Sequence, residues 1–285
     1  MRTEQKGFLL ALSGALVFTP DVLLIRLAAA DPFTLASVRS VAAGIVLVVG
    51  LGLAHRQKTI GEFFKLGRWG LIAGLLQATS GLMFCFALSH TTAANALLMF
   101  ATTPLLAAAL GWAVLRERVP LATWLAIVGA FIGISIVAGG SLQGGGFIGD
   151  MMALGNALST AIFFLVVRHR SHLDFMPANI LGFIFGALLA SPFGHFTELQ
   201  PLQWAWLVAG GAFVLPAAIS LYTVAVRYLP AAEVALIGLL EVVLGPLLLW
   251  FVLREMVPAS TIIGGMVVLA ALVFHMGMSL LRPST

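Results

Sequence analysis

The chain reads as an all-α integral membrane protein of ten transmembrane helices, arranged as two inverted five-helix repeats. Three observations predict this. Apolar residues make up 61% of the 285 positions and charged residues only 9%, against about 25% charged in a soluble domain. Ten almost unbroken apolar stretches, each of about 18–25 residues, fill the sequence end to end, and a bilayer core needs about 20 per crossing. The last five stretches repeat the first five. An odd number of crossings per copy forces the second copy to enter the membrane upside down, as in many proteins whose central site opens to either face.

The expected spans are 7–29, 32–54, 69–89, 91–115, 120–139, 148–168, 176–195, 203–227, 231–253 and 258–281. The first follows Arg2 and Lys6 and ends near Ala28-Ala29-Ala30, which resembles a secretory signal. It is too long for one, carries Pro20, Asp21 and Arg26, and is the repeat partner of the sixth span. Pro32, Pro120, Pro177, Pro230 and Pro258 mark the starts of the second, fifth, seventh, ninth and tenth spans, because a proline in the first turn sacrifices no helical hydrogen bond. Pro20 and Pro216 lie inside the first and eighth and should kink them. The glycine-rich run from Gly139 to Gly146 reads as the linker between halves, giving a first repeat over 1–140, a linker over 141–147 and a second repeat over 148–285. In the fifth and tenth spans, Gly129-x-x-x-Gly133 and Gly264-Gly265 predict close helix contact.

Loop charge predicts the orientation. With the N-terminus in the cytoplasm, that side receives Arg2, Lys6, Arg56, Lys58, Lys65, Arg68, Arg116, Arg118, Arg168, Arg170, Arg227 and Arg282, while the far side receives Arg26 and Arg254. Under the positive-inside rule this puts both termini in the cytoplasm, the expected setting being a bacterial inner membrane. The same distribution explains the sequence pI near 9.8 without a nucleic-acid partner. All six tryptophans fall near expected span ends, where an interfacial aromatic belt belongs. The single cysteine, Cys85, can form no intrachain disulfide.

The repeat is strongest around the fourth and ninth spans. From Ala87 to Pro120, 13 of 34 positions are identical to those 138 residues later, among them Leu115-Arg116-Glu117 with Leu253-Arg254-Glu255 and Val119-Pro120 with Val257-Pro258. The first and sixth spans align 142 residues apart through Gly7/Gly149, Ala11/Ala153 and Arg26/Arg168. A 5+5 chain with a Glu-x-x-Pro hairpin after its fourth and ninth spans resembles the drug/metabolite transporter superfamily, in particular its EamA-type members. The start at Pro230-Ala231-Ala232 and the Leu240-Glu241 pair add to the likeness. One departure is Val242, where the family usually carries a proline; Pro246 follows instead, which leaves the position of the kink in that span open. The sequence as a whole is similar to exporters of aromatic amino acids of the YddG type. The resemblance implies a secondary transporter that exports a small metabolite; a monomer without a cofactor is also expected.

Polar groups in hydrocarbon are costly and usually face the bundle interior or a wet cavity. By that test the candidate substrate-binding residues are Gln77, Ser80 and Phe84 in the third span, Asn95 and Met99 in the fourth, Asn156 and Thr160 in the sixth, Tyr222 in the eighth and Glu241 in the ninth. Thr102-Thr103, Phe163, Ser220 and Glu233 share the same stripes, and such stripes also arise from plain helix packing. The 138-residue offset aligns Phe84 with Tyr222 and Asn95 with Glu233; inversion places the first of each pair in the outer half of a central cavity and the second in the inner half. Glu241, about 15 Å into its span, reads as a contact for a substrate ammonium, a proton carrier, or a hydrogen-bonded helix-contact residue. Asp21 and Arg39, at similar depth in adjacent spans, read as an ion pair holding those spans together.

These residues suit a neutral, partly apolar solute. Aromatic and other apolar amino acids fit, as do lipophilic drugs. No nucleotide-binding loop is present, which excludes direct drive by ATP. The rival class is a lipid-modifying membrane enzyme, but the histidines are scattered without metal-ligand spacing, and Glu233 and Glu241 lie too far apart along one helix to share an ion. Neither a metal nor a catalytic residue is expected, and the anticipated partners are the solute and the surrounding lipid.

Overall fold

The computed structural model describes residues 3–55, 59–115, 121–144, 146–229 and 231–280, which form helices joined by short turns. The first span is two helices, α1 (Thr3–Phe18) and α2 (Asp21–Ala28), parted at Thr19-Pro20, because Pro20 can neither donate to the preceding turn nor pack its ring beneath that turn. The second span is α3 (Pro32–His55) and the third α4 (Thr59–His90), which bends at Gly67, whose positive φ of 50° suits glycine. Asp31 starts α3: its carboxylate accepts from the backbone N–H groups of Phe33 and Thr34, both at 3.0 Å. Partial burial works to raise the Asp31 carboxyl, yet these bonds, with Thr34 and His195 beside it, hold it below the ordinary carboxylate value.

The fourth span is also broken, into α5 (Ala93–Phe100) and α6 (Thr103–Leu115), and the fifth is α7 (Leu121–Gly144). The glycine-rich run expected as a linker is therefore helical as far as Gly144. In the second half, α8 (Phe147–His169) and α9 (Met176–Ala190) make the sixth and seventh spans. The eighth joins α10 (Pro201–Ala209) to α11 (Leu215–Ala225) through a π-helical turn at Gly210–Val214, just ahead of Pro216. The ninth is α12 (Ala231–Gly238) and α13 (Leu240–Leu253), and the tenth is α14 (Ala259–Leu280). The breaks in the fourth and ninth spans, at Ala101 and Leu239, again lie 138 residues apart. Pro246 sits within a continuous α13, so the kink left open by the sequence falls ahead of Glu241. The Arg116–Pro120 copy of the repeat motif lies outside the described residues.

Contacts between halves establish the inversion. α5 packs on α13 while α6 packs on α12, so the fourth and ninth spans run antiparallel. Gly7 meets Tyr228 and Leu229, and Gly149 meets His90 and Thr91; each pair maps onto the other through the 142- and 138-residue offsets. The fifth and tenth spans pack mainly on each other. A Cβ on Gly133 would lie 2.6 Å from the carbonyl oxygen of Gly264, and one on Gly264 would lie 2.5 Å from that of Gly133. The expected small-residue contact is thus an α7–α14 backbone approach that no larger residue allows.

Apolar burial divides into two clusters at opposite ends of the bundle. One gathers Val22, Leu35, Leu88, Leu98 and Leu249; the other gathers Ala11, Phe163, Val167, Phe175 and Val226. Between them lies a cavity.

Candidate functional site

The four interrupted spans place their interruptions at this cavity. Phe18 ends α1, Phe100 and Thr103 flank the break in the fourth span, Leu215 follows the π-helical turn, and Gly238, Leu239 and Glu241 flank the break in the ninth; all of them line the space. Irregular backbone at membrane depth is tolerated only where protein or a cavity receives its polar groups, so the breaks and the cavity are one feature. The space between the walls, with the open solvent at its mouth included, amounts to about 1170 Å³. Residues of eight spans line it. Among the described residues, the fifth and tenth spans contribute none.

The walls are largely aromatic and apolar, with three polar patches. On one wall the Ser80 hydroxyl donates to Asn156 Oδ1 at 2.7 Å and lies 3.0 Å from Thr160 Oγ1, bridging α4 of the first repeat to α8 of the second. On another, the Tyr222 hydroxyl donates to Glu241 Oε1. Gly238 makes room for that hydroxyl, which would lie 3.3 Å from a Cβ at that position. Glu241 is 3% exposed and sits in the first turn of α13, where the helix dipole favours a carboxylate. The third patch is Arg39, whose Nη2 donates to both carboxylate oxygens of Asp21 at 2.5 Å and whose Nη1 reaches Cys85 Sγ at 3.7 Å. Asp21 is fully buried, and Arg39 and Cys85 line the cavity. Thr223 lines it too and accepts from Asn179 Nδ2 at 2.8 Å.

Seven of the residues singled out in the sequence lie on these walls: Gln77, Ser80, Phe84, Asn156, Thr160, Tyr222 and Glu241. Two do not. Asn95 is buried where α5 meets α14, accepting from the Thr261 hydroxyl, and Met99 is fully enclosed in an apolar cluster. Of the two symmetry pairs, Phe84 and Tyr222 both face the cavity, whereas Asn95 is a packing residue and Glu233 is exposed on α12. Sequence reasoning missed Phe18, Phe100, Phe183 and Thr223 as lining residues, and read Arg39 only as half of an ion pair. The run Ala101-Thr102-Thr103-Pro104 was the available signal for a break, since each threonine hydroxyl bonds a carbonyl three residues earlier in place of the helical amide.

Beyond the cavity, the polar contacts at each end of the bundle include some that join the two repeats. At one end Arg26 Nη2 donates to Glu255 Oε1 at 3.1 Å and to the Thr91 carbonyl at 3.0 Å, the Ala93 N–H donates to Glu255 Oε1 at 3.2 Å, and the Thr91 hydroxyl donates to Asp150 Oδ1 at 2.8 Å. At the other, Lys6 Nζ donates to the Tyr228 hydroxyl at 3.2 Å and Arg227 lies 4.0 Å from Asp174. Among the described residues no group of three or more His, Cys, Asp or Glu side chains could hold a metal ion.

Comparison with known proteins agrees with this architecture. The EamA-like transporter family matches the chain twice, over residues 5–139 and 147–277, once in each repeat. A crystal structure of a protein 19% identical to this one superposes with a TM-score of 0.66 over 95% of this chain and 98% of that one; at that identity the likeness shows a shared fold. No curated protein matches the chain.

Proposed function

The chain belongs to the EamA-like transporter family, and from that premise we propose that it exports aromatic and other apolar amino acids by alternating access through the central cavity. Members of this family are membrane transporters of the drug/metabolite superfamily, and the coarse activity follows from membership. The substrate class is our reading of the walls. An amino acid carries an ammonium, a carboxylate and, in this class, an apolar side chain. Glu241 offers the first a buried carboxylate, while Phe18, Phe84, Phe100, Phe163, Phe164 and Phe183 offer the last an aromatic lining. The observation that carries the reading is this pairing of one buried acid with an aromatic-rich enclosure. Gln77, Ser80, Asn156, Thr160 and Tyr222 complete the proposed binding set.

In this reading the protein is a monomer in a bacterial inner membrane with both termini cytoplasmic. The Arg26–Glu255 end then faces away from the cytoplasm and the Lys6–Tyr228 end toward it. Export requires the Lys6–Tyr228 end to open for loading, then to close as the Arg26–Glu255 end parts.

The test is uptake into proteoliposomes of labelled phenylalanine, tryptophan and leucine, with and without a pH gradient. Accumulation above protein-free vesicles is expected, with Phe84→Ala and Tyr222→Ala both impaired. Failure of all three amino acids, with efflux of a lipophilic dye instead, would replace this substrate class by drugs. Uptake indifferent to the gradient would remove a proton-carrying role for Glu241.

A further inference from the structure

Among the described residues Arg39 is the one cation on the cavity wall, and its hydrogen-bonding capacity is only partly used. A guanidinium has five N–H donors and no acceptor. Nη2 is committed to Asp21, but Nη1 finds only the thiol of Cys85 at 3.7 Å, a weak acceptor. Nε, fully buried, has no partner at all. Buried charged donors are rarely left so poorly matched, because each unmet bond carries a desolvation penalty. A pair needed only to pin α2 to α3 could spend its donors within the pair. Here Arg39 lines the cavity, as does Cys85, the residue that Nη1 reaches.

Net charge alone would suit an amine, so the unmet donors of Arg39 are what set an amino acid apart. Asp21 and Arg39 together are neutral, which leaves Glu241 as the uncompensated acid among the lining groups. A bound ammonium balances Glu241 without help from Arg39. An amine alone would therefore satisfy the acid and leave Arg39 unmet, whereas an amino acid satisfies both.

We propose that Arg39 is the carboxylate-recognition residue of this cavity, receiving the solute carboxylate on Nη1 beside Cys85 while Asp21 holds the guanidinium in place. This rests on the amino-acid reading above and adds to it a residue that selects amino acids over the corresponding amines. Asp21 is then a positioning residue, fixing the plane of the guanidinium through Nη2.

The experiment compares phenylalanine with phenethylamine, the same molecule without its carboxylate, in proteoliposomes of the full chain. The native protein should favour phenylalanine at least tenfold in initial rate at low concentration. The double variant Asp21→Asn/Arg39→Gln removes the pair without stranding a buried charge; it should lose that preference while still moving phenethylamine. If the double variant does not fold, Arg39→Lys keeps a cation for Asp21 but lacks the second arm of the fork, and it should lower the preference severalfold. Equal handling of the two solutes by the native protein overturns the assignment. So does a preference kept by the double variant, or by Arg39→Lys where the double does not fold. Movement of neither solute overturns the amino-acid reading itself, and is distinguishable because no variant enters that comparison.

Discussion

Thr103 and Glu241 occupy the same place in the two repeats, 138 residues apart, each in the first turn of the helix that follows a broken span, and both line the one cavity. The inverted repeat thus supplies two equivalent positions with different chemistry. The Thr103 hydroxyl is already committed to the Phe100 carbonyl at 2.6 Å, while the Glu241 carboxylate takes a bond from Tyr222 and keeps further acceptor capacity. A hydrogen bond to a charged group contributes about 1.5–3 kcal/mol, or about ten- to a hundredfold in binding. Glu241→Gln should therefore reduce uptake of an ammonium-bearing solute at least tenfold, whereas Thr103→Val should change it less than about threefold. Tyr222→Phe, which leaves the acid in place, should fall between them. Native rates in Glu241→Gln would remove the acid from substrate recognition.

Much of the architecture was legible because it follows from the solvent. Hydrocarbon demands long apolar helices, so span number and approximate limits could be read directly, and the Arg-Glu-x-Val-Pro repeat betrayed the inversion. The break at Leu239 was not legible as such, since leucine is a good helix former and the interruption answers to the cavity; the one at Ala101 was marked only by the Thr102-Thr103-Pro104 run beside it. Polar residues on a stripe were informative when the stripe faced the cavity, as with Ser80, Asn156 and Thr160. They misled at Asn95, whose bond to Thr261 satisfies it within a helix contact. Phenylalanines such as Phe183 carry no such mark, because an aromatic side chain looks the same in sequence whether it faces lipid, core or solute.

The Asp21–Arg39 pair crosses from α2 to α3 in a fully buried position. Removing one partner strands the other as an uncompensated buried charge, at a cost of about 3–5 kcal/mol. Asp21→Asn should lower the yield of folded, detergent-soluble protein several-fold, and adding Arg39→Gln to the same chain should restore part of it. Size-exclusion profiles of the single and double variants read this directly. A single variant as well behaved as the native protein would mean that the pair carries little of the fold.

Arg26 and Glu255 tie the first repeat to the second at one end of the bundle, and both are about a quarter exposed. If that end must part during transport, weakening the tie should raise the frequency of opening. Cys85, the chain's single cysteine, is buried on the cavity wall, so its alkylation by a small thiol reagent reports that opening. Glu255→Gln and Arg26→Gln should each speed labelling several-fold, in line with a bond contributing about 0.5–1.5 kcal/mol, with Cys85→Ser as the blank. Labelling at the native rate in both variants would show that this tie does not gate the cavity.

The α7–α14 contact gives a test of packing that is independent of transport. A Cβ at Gly133 would stand 2.6 Å from the Gly264 carbonyl oxygen and 2.6 Å from Val268 Cγ2, while one at Gly139, a turn and a half further along the same helix, meets nothing within 4 Å. The two glycines therefore separate the effect of crowding from that of helix propensity. Gly133→Ala should push the helices apart at a cost of about 1–3 kcal/mol and lower the melting temperature in detergent. Gly139→Ala gains propensity without a clash, by up to about 1 kcal/mol, and should leave the melt unchanged or slightly higher. Because no described residue of either helix lines the cavity, Gly133→Ala should keep the native order of substrate preference even as its stability falls. Equal melts for the two variants would mean that the small-residue stripe does not set the distance between the fifth and tenth spans.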